Sequence, residues 1–229
     1  MNSTLLKTLF WVLVISVFAA CKEESLEPVP YSYEYFPVEF GKFIIYDVDS
    51  IYHSDNDNNN DDSVYSWHFQ VKEKIDSTFI DGQGRPAQRV MRYRRNSSSE
   101  PWTFLNVWTQ TRTATSAYRF EENILYHKLS FPVNPDISWD GNDSNTLNEE
   151  MYSYEDIHTA KTFQTMVFDS TVSVLQRDDD NFVEKIYGYE VYAKDVGLVY
   201  RQRDELRKQS GLVVFGTEFK MTVNSYGIE

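Results

Sequence analysis

The stretch "VYSWHFQVKEKI", residues 64–75, decides the fold. Along it Tyr65, Trp67, Phe69 and Val71 alternate with Ser66, His68, Gln70 and Lys72. A period of two is that of a β-strand, in which one face enters a core and the other meets water. On this reading Trp67, Phe69 and Val71 point inward, while His68 and Gln70 face solvent or a shallow groove. Removing a buried aromatic side chain costs about 3–5 kcal/mol, so Trp67→Ala is expected to cost that much.

The same pattern extends in both directions. Upstream, "FIIYDVDSIYH" (43–53) is rich in β-branched and aromatic residues. Downstream, "DGQGRP" (81–86) is turn chemistry, because Gly tolerates positive φ and Asp bonds to its own backbone. Further strands are expected at 87–95, 102–112, 115–121, 123–131, 166–176, 183–193, 197–207 and 212–224. Residues 147–158 admit two readings. Thr146 and Glu149 fit a capping box, but Tyr152, Tyr154 and Ile157 suit a strand, which we favour. Arg92, Arg94 and Arg95 inside one strand pattern read as a solvated face. The expected fold is all-β: an antiparallel meander forming a curved sheet, open barrel or sandwich over residues 39–229, with little helix beyond the N-terminal leader.

The N-terminus reads differently. Lys7 precedes an apolar run from Leu9 to Ala20. A spanning helix needs about twenty apolar residues, so a shorter run ending in small residues reads as a secretory signal over 1–20. Cys21, the lone cysteine, follows at once. "FAAC" resembles the lipobox of bacterial lipoproteins, which implies that Cys21 is acylated and holds the membrane through acyl chains. Lys22, Glu23 and Glu24 resemble the export tag of Bacteroidota lipoproteins, which implies an outer-membrane protein facing the cell exterior. Residues 21–38 then form the acylated cysteine and a tether, extended by Pro28, Pro30 and Pro37. "YSYEYF" (31–36) alternates Tyr31, Tyr33 and Tyr35, so its end is expected to dock as an edge strand.

Three further stretches, "YFPVEFGKFIIYDVDSIYH", "LSFPVNPDISWDGN" and "YEVYAKDVGLVYRQRDEL", resemble uncharacterised Bacteroidota lipoproteins. The last is similar to a "YA-x-x-VGLV" phrase found in several lipoprotein families. The resemblance implies curved antiparallel sheets like those of LolA/LolB-type lipoprotein carriers, and implies no catalytic residue. Gly197 in that phrase fits a tight bend where a side chain would clash.

Charge and chemistry narrow the function. The formal charge is -13, and it becomes -14 without Lys7. An acidic surface repels phosphate backbones, which argues against nucleic acid as a partner. The histidines, His53, His68, His127 and His158, are scattered, without HExxH or HxH spacing. No nucleophile elbow, Walker loop or dinucleotide fingerprint occurs. Glu121-Glu122 and Glu149-Glu150 are neighbours that a strand would point to opposite faces, so neither is a ready acid/base couple. The chain is therefore read as a non-enzyme without cofactor. Asp55, Asp57, Asn59 and Asp61 have the alternate-oxygen rhythm of a calcium loop. Asn60 and Ser66 stand where an EF-hand needs Gly and Glu, so 54–63 reads as a solvated hairpin loop. The remaining function is binding of a glycan, lipid or partner protein, with Trp102, Trp108 and Trp139 as aromatic candidates. The alternative is a structural subunit of an outer-membrane complex, and a weaker one is a hydrolase of extracellular polymer.

Overall fold

The computed structural model describes residues 30–54 and 63–229. Cys21, Lys22, Glu23 and Glu24 lie outside the described residues, as do Asp55, Asp57, Asn59 and Asp61. Strands occupy most of the rest: β1 Lys42–Ser54, β2 Ser63–Ile80, β3 Pro86–Arg95, β4 Thr103–Arg112, β5 Ser116–Glu121 and β6 Ile124–Ser130. They continue with β7 Ser138–Asp140, β8 Met151–Phe163, β9 Met166–Asp180, β10 Glu184–Ala193, β11 Gly197–Gln209 and β12 Leu212–Ile228. Residues 151–163 are strand, not helix.

All twelve form one sheet in the order β6-β5-β4-β3-β2-β1-β12-β11-β10-β9-β8-β7, every pair antiparallel. Each strand except β6 and β7 therefore pairs with its sequence neighbours, and β1 pairs with β12 to join the two halves of the chain. The two ends, β6 and β7, also approach: the His127 amide donates to the Gly141 carbonyl at 2.9 Å. The Trp139 Nε1–H donates to the His127 carbonyl at 2.9 Å. The Tyr154 hydroxyl donates to the Ser130 carbonyl and accepts from the Ser130 amide. The result is a nearly closed barrel with its seam at β6/β7.

Local chemistry sets the corners. Asp81 Oδ1 accepts from the Gln83 and Arg85 amides at 2.9 Å each, which fixes the β2–β3 turn. At Gly197 φ is +102°, and a Cβ there would lie 3.2 Å from Pro37 Cδ. Glycine is needed at that bend for both reasons. On β8, Asp156 and His158 take positive φ where the ladder with β9 slips. Such bulges twist the part of β8 that runs beyond β7 and blunt it as an edge.

Three expectations are corrected. "YSYEYF" does not add a strand: Tyr33–Tyr35 is a 3₁₀ turn that plugs one end of the barrel, with Tyr35 and Phe36 buried in the core. Both sides of β1, the strand that follows it, are already taken by β2 and β12. Instead Arg112 Nη1 donates to the Tyr33 and Phe36 carbonyls at 2.9 Å each. These contacts join the turn to the sheet in one compact unit, Tyr31–Glu229. Second, Arg92 is not solvated. Its guanidinium pairs with Glu73 at 3.0 Å and lies 3.4 Å from the Trp108 ring centroid. Third, Trp67 is 48% exposed, and Gln70 is buried, donating to Asp47 and accepting from Arg95 at 2.7 Å each.

Candidate functional site

The exposure of Trp67 follows from unequal wall heights. β3 stops at Arg95, opposite Gln70, while β2 runs on to Ser63. Over that overshoot β2 still pairs with β1, and β1 with β12: Val48 faces Phe69, Ser50 faces Trp67 and Phe219, and Tyr52 faces Tyr65. These residues share a face with core members Tyr46, Val48, Val71 and Met221. The period-two register was therefore right in parity. At this height no opposite wall covers the face, so its side chains stay half in water.

The rings pack on one another instead. Tyr52 and Tyr65 stack at 6.5 Å, Tyr65 and Trp67 at 6.2 Å with planes 17° apart, and Phe215 meets Tyr52 edge-on at 5.8 Å. On the other face of these strands a depression of about 400 Å³ is lined by Asp49, Ser66, His68, Glu218 and Lys220, and it reaches Trp67. Its polar groups are partly paired: His68 Nδ1 lies 2.8 Å from Asp49, and His53 Nε2 lies 2.8 Å from Glu218.

Deeper in the barrel the inner face is charged. Arg201 holds Glu121 with two bonds of 2.8 and 3.0 Å and Glu190 at 2.7 Å. Lys128 meets Glu190 at 2.6 Å, and Arg119 meets Glu73 at 2.7 Å. In the sheet order β5 and β11 stand with five strands between them, whichever way one counts. A bond between them must cross the lumen. Burial would raise the Glu121 carboxyl, but the charges of Arg201 and Lys128 outweigh it and hold it below the ordinary Glu range. Burial, with the Glu190 charge next, pushes the Tyr192 hydroxyl well above its usual value. The network borders small cavities, one of about 50 Å³ under the Phe36–Pro37 plug and one of about 30 Å³ beside Glu121, Lys128 and Arg201.

The residues singled out from sequence fare unevenly. Trp108 and Trp139 are core, 5% and 7% exposed, while Trp102 is half-buried with Arg95 4.2 Å from its ring. His127 bonds Asp143 at 2.8 Å and the Leu129 carbonyl at 3.0 Å, and His158 Nδ1 lies 2.6 Å from the Tyr35 hydroxyl. Glu121 enters the lumen, while Glu122, in the turn after β5, lies at the surface. Among the described residues, no group of three or more His, Cys, Asp or Glu is placed to hold a metal ion. Two of the ladder's exposed members, Tyr65 and Trp67, were visible in the sequence as aromatics of one strand face. Tyr52 and Phe215, which complete it, come from β1 and β12, and only the register brings them together.

No protein-family model matches the chain, and no curated protein matches it. A solved structure of a candidate lipoprotein from Parabacteroides distasonis is similar at 11% identity and a TM-score of 0.44, over 88% of this chain and 100% of that one.

Proposed function

We propose that this chain is a lipid-anchored, non-catalytic binding protein of the bacterial outer surface whose barrel mouth takes a glycan. The observation that carries the reading is the half-exposed Tyr52–Tyr65–Trp67 ladder at the barrel mouth. Flat aromatic faces are electron-rich, and the C–H faces of sugar rings pack on them while sugar hydroxyls reach nearby polar groups. Exposed aromatic patches rimmed by polar residues mark interaction sites in soluble domains. The anchor rests on Cys21 after a short apolar run, and the outward orientation on Lys22-Glu23-Glu24. The non-catalytic part is supported by the buried carboxylates, which are tied up in ion pairs.

Trp67→Ala separates binding from folding. At a half-exposed site it should change stability by less than about 1 kcal/mol. Affinity for a soluble oligosaccharide, measured by titration calorimetry across a panel of neutral and acidic hexamers, should fall at least tenfold. Unchanged affinity would remove the ladder from the site. The anchor has its own test: Cys21→Ala should release the protein from membranes or leave an unprocessed precursor. Mass spectrometry of the mature N-terminus reads this out, and an unmodified Cys21 there overturns the anchor.

A second reading, a subunit of an outer-membrane assembly, is favoured by the edge of β2. Among the described residues, 63–69 pair with β1 on one side and with no strand on the other. A free edge can accept another chain. That reading requires a concentration-dependent complex in native mass spectrometry, which glycan binding does not.

A further inference from the structure

Resting on the glycan reading, we infer that the ligand carries an anionic group, a carboxylate or sulfate, and that Arg94 reads it. Arg94 shares the inner face with Val71, its partner across β2–β3, and its guanidinium lies 3.9 Å from the ring centroid of Phe69. Phe69 is the next same-face residue below Trp67 on β2, about 7 Å along the strand. Arg94 therefore stands at the inner end of the aromatic ladder.

Its neighbours on the same face are all engaged with acids. Arg92 pairs with Glu73, Arg119 with Glu73, and Arg201 with Glu121 and Glu190. Among the described residues Arg94 has no carboxylate partner; its side chain makes only the contact with Phe69. In a chain of net charge -13, Arg94 is thus, among the described residues, a guanidinium without an acid partner beside an exposed aromatic platform. The stacked ring fixes the plane of the guanidinium. Its N–H groups then present a rigid fork, the geometry that carboxylate and sulfate oxygens accept bidentately. The overall negative charge keeps polyanions from binding indiscriminately, so an acidic sugar is held only where stacking and this one cation act together.

The test uses the mature domain and three soluble probes: a galacturonate hexamer, a sulfated dextran oligomer and neutral cellohexaose. In low salt wild type should bind one or both acidic probes about tenfold more tightly than the neutral one. Arg94→Gln should erase that preference and leave the neutral affinity unchanged, Arg94→Lys should keep most of it, and both variants should melt within a few degrees of wild type. The preference should also shrink as salt is raised. A galacturonate-only preference assigns a carboxylate, and a dextran-sulfate-only preference a sulfate. Equal binding of acidic and neutral probes, or a preference that survives Arg94→Gln, overturns the assignment of Arg94 while the glycan reading stands. Wild type that binds none of the three overturns both.

Discussion

Replacing Arg201 with methionine is expected to destabilise the barrel by about 3–5 kcal/mol, the cost of stranding buried charges by removing one partner. Arg201 is the hub between Glu121 on β5 and Glu190 on β10. Without it, Glu121 loses both bidentate bonds, and Glu190 keeps Lys128 and the Tyr192 hydroxyl, the latter at 2.6 Å. For a domain of this size the loss corresponds to a fall of roughly 10 °C in Tm. The charges themselves are not the source of stability. Well-packed apolar side chains in place of a whole buried ion cluster are often neutral or stabilising, so Arg201→Met combined with Glu121→Leu and Glu190→Leu should recover most of the loss. A single variant that unfolds like wild type would show that the lumen is wet and the pairs screened.

The same network sets an acid limit. Although burial pushes upward, Arg201 and Lys128 hold the Glu121 and Glu190 carboxyls below their ordinary range. Folded-state values below the unfolded ones mean that this stabilisation is present above an unfolded pKa of about 4.3, and is lost as pH falls through the folded values. Wild-type Tm should therefore drop on acidification below about pH 4–5. In Arg201→Met the slope should be shallower. A wild-type Tm flat through that window would contradict the charge states assigned to the pair.

Trp139→Ala is expected to cost about 3–5 kcal/mol, the largest effect of any single aromatic truncation at the seam. Trp139 is buried against Tyr154 at 4.7 Å and Tyr152 at 6.1 Å, and its indole N–H caps the His127 carbonyl. β7 has only three residues, so the seam has little ladder of its own and leans on this side chain. Denaturant unfolding measures the loss, and hydrogen exchange at the His127 and Ser130 amides should accelerate more than at the β1/β12 junction. The contrast with Trp67→Ala is sharp: same residue type, same sheet, and several kcal/mol against less than about one. Equal costs at the two positions would mean that wall height does not govern burial here.

The strands themselves were legible. Expected and observed segments agree within a few residues from β3 through β6 and from β9 through β12, because a period of two and turn residues at each break are local properties. β7 escaped notice since Ser138–Asp140 is too short to display an alternation. The plug at Tyr33–Tyr35 was misread as an edge strand for a different reason: alternating tyrosines suit a strand, but the ladder positions beside β1 were already occupied.

What the sequence determined by itself is which residues share a face: Tyr65 with Trp67, Phe69 and Val71, or Arg92 with Arg94. Parity along a strand is fixed by backbone geometry and needs no partner. Whether a given face is lumen or solvent, and how deep each residue sits, was decided only when the sheet curled round. Closure brought Arg201 against Glu121, eighty residues earlier, and so buried charges that an isolated strand would show to water. It left Trp67 uncovered because β2 outruns β3 by the residues from Ser63 to Phe69. Burial depends on the height of the facing wall, and that height is set by strands far away in the chain, which no local pattern encodes.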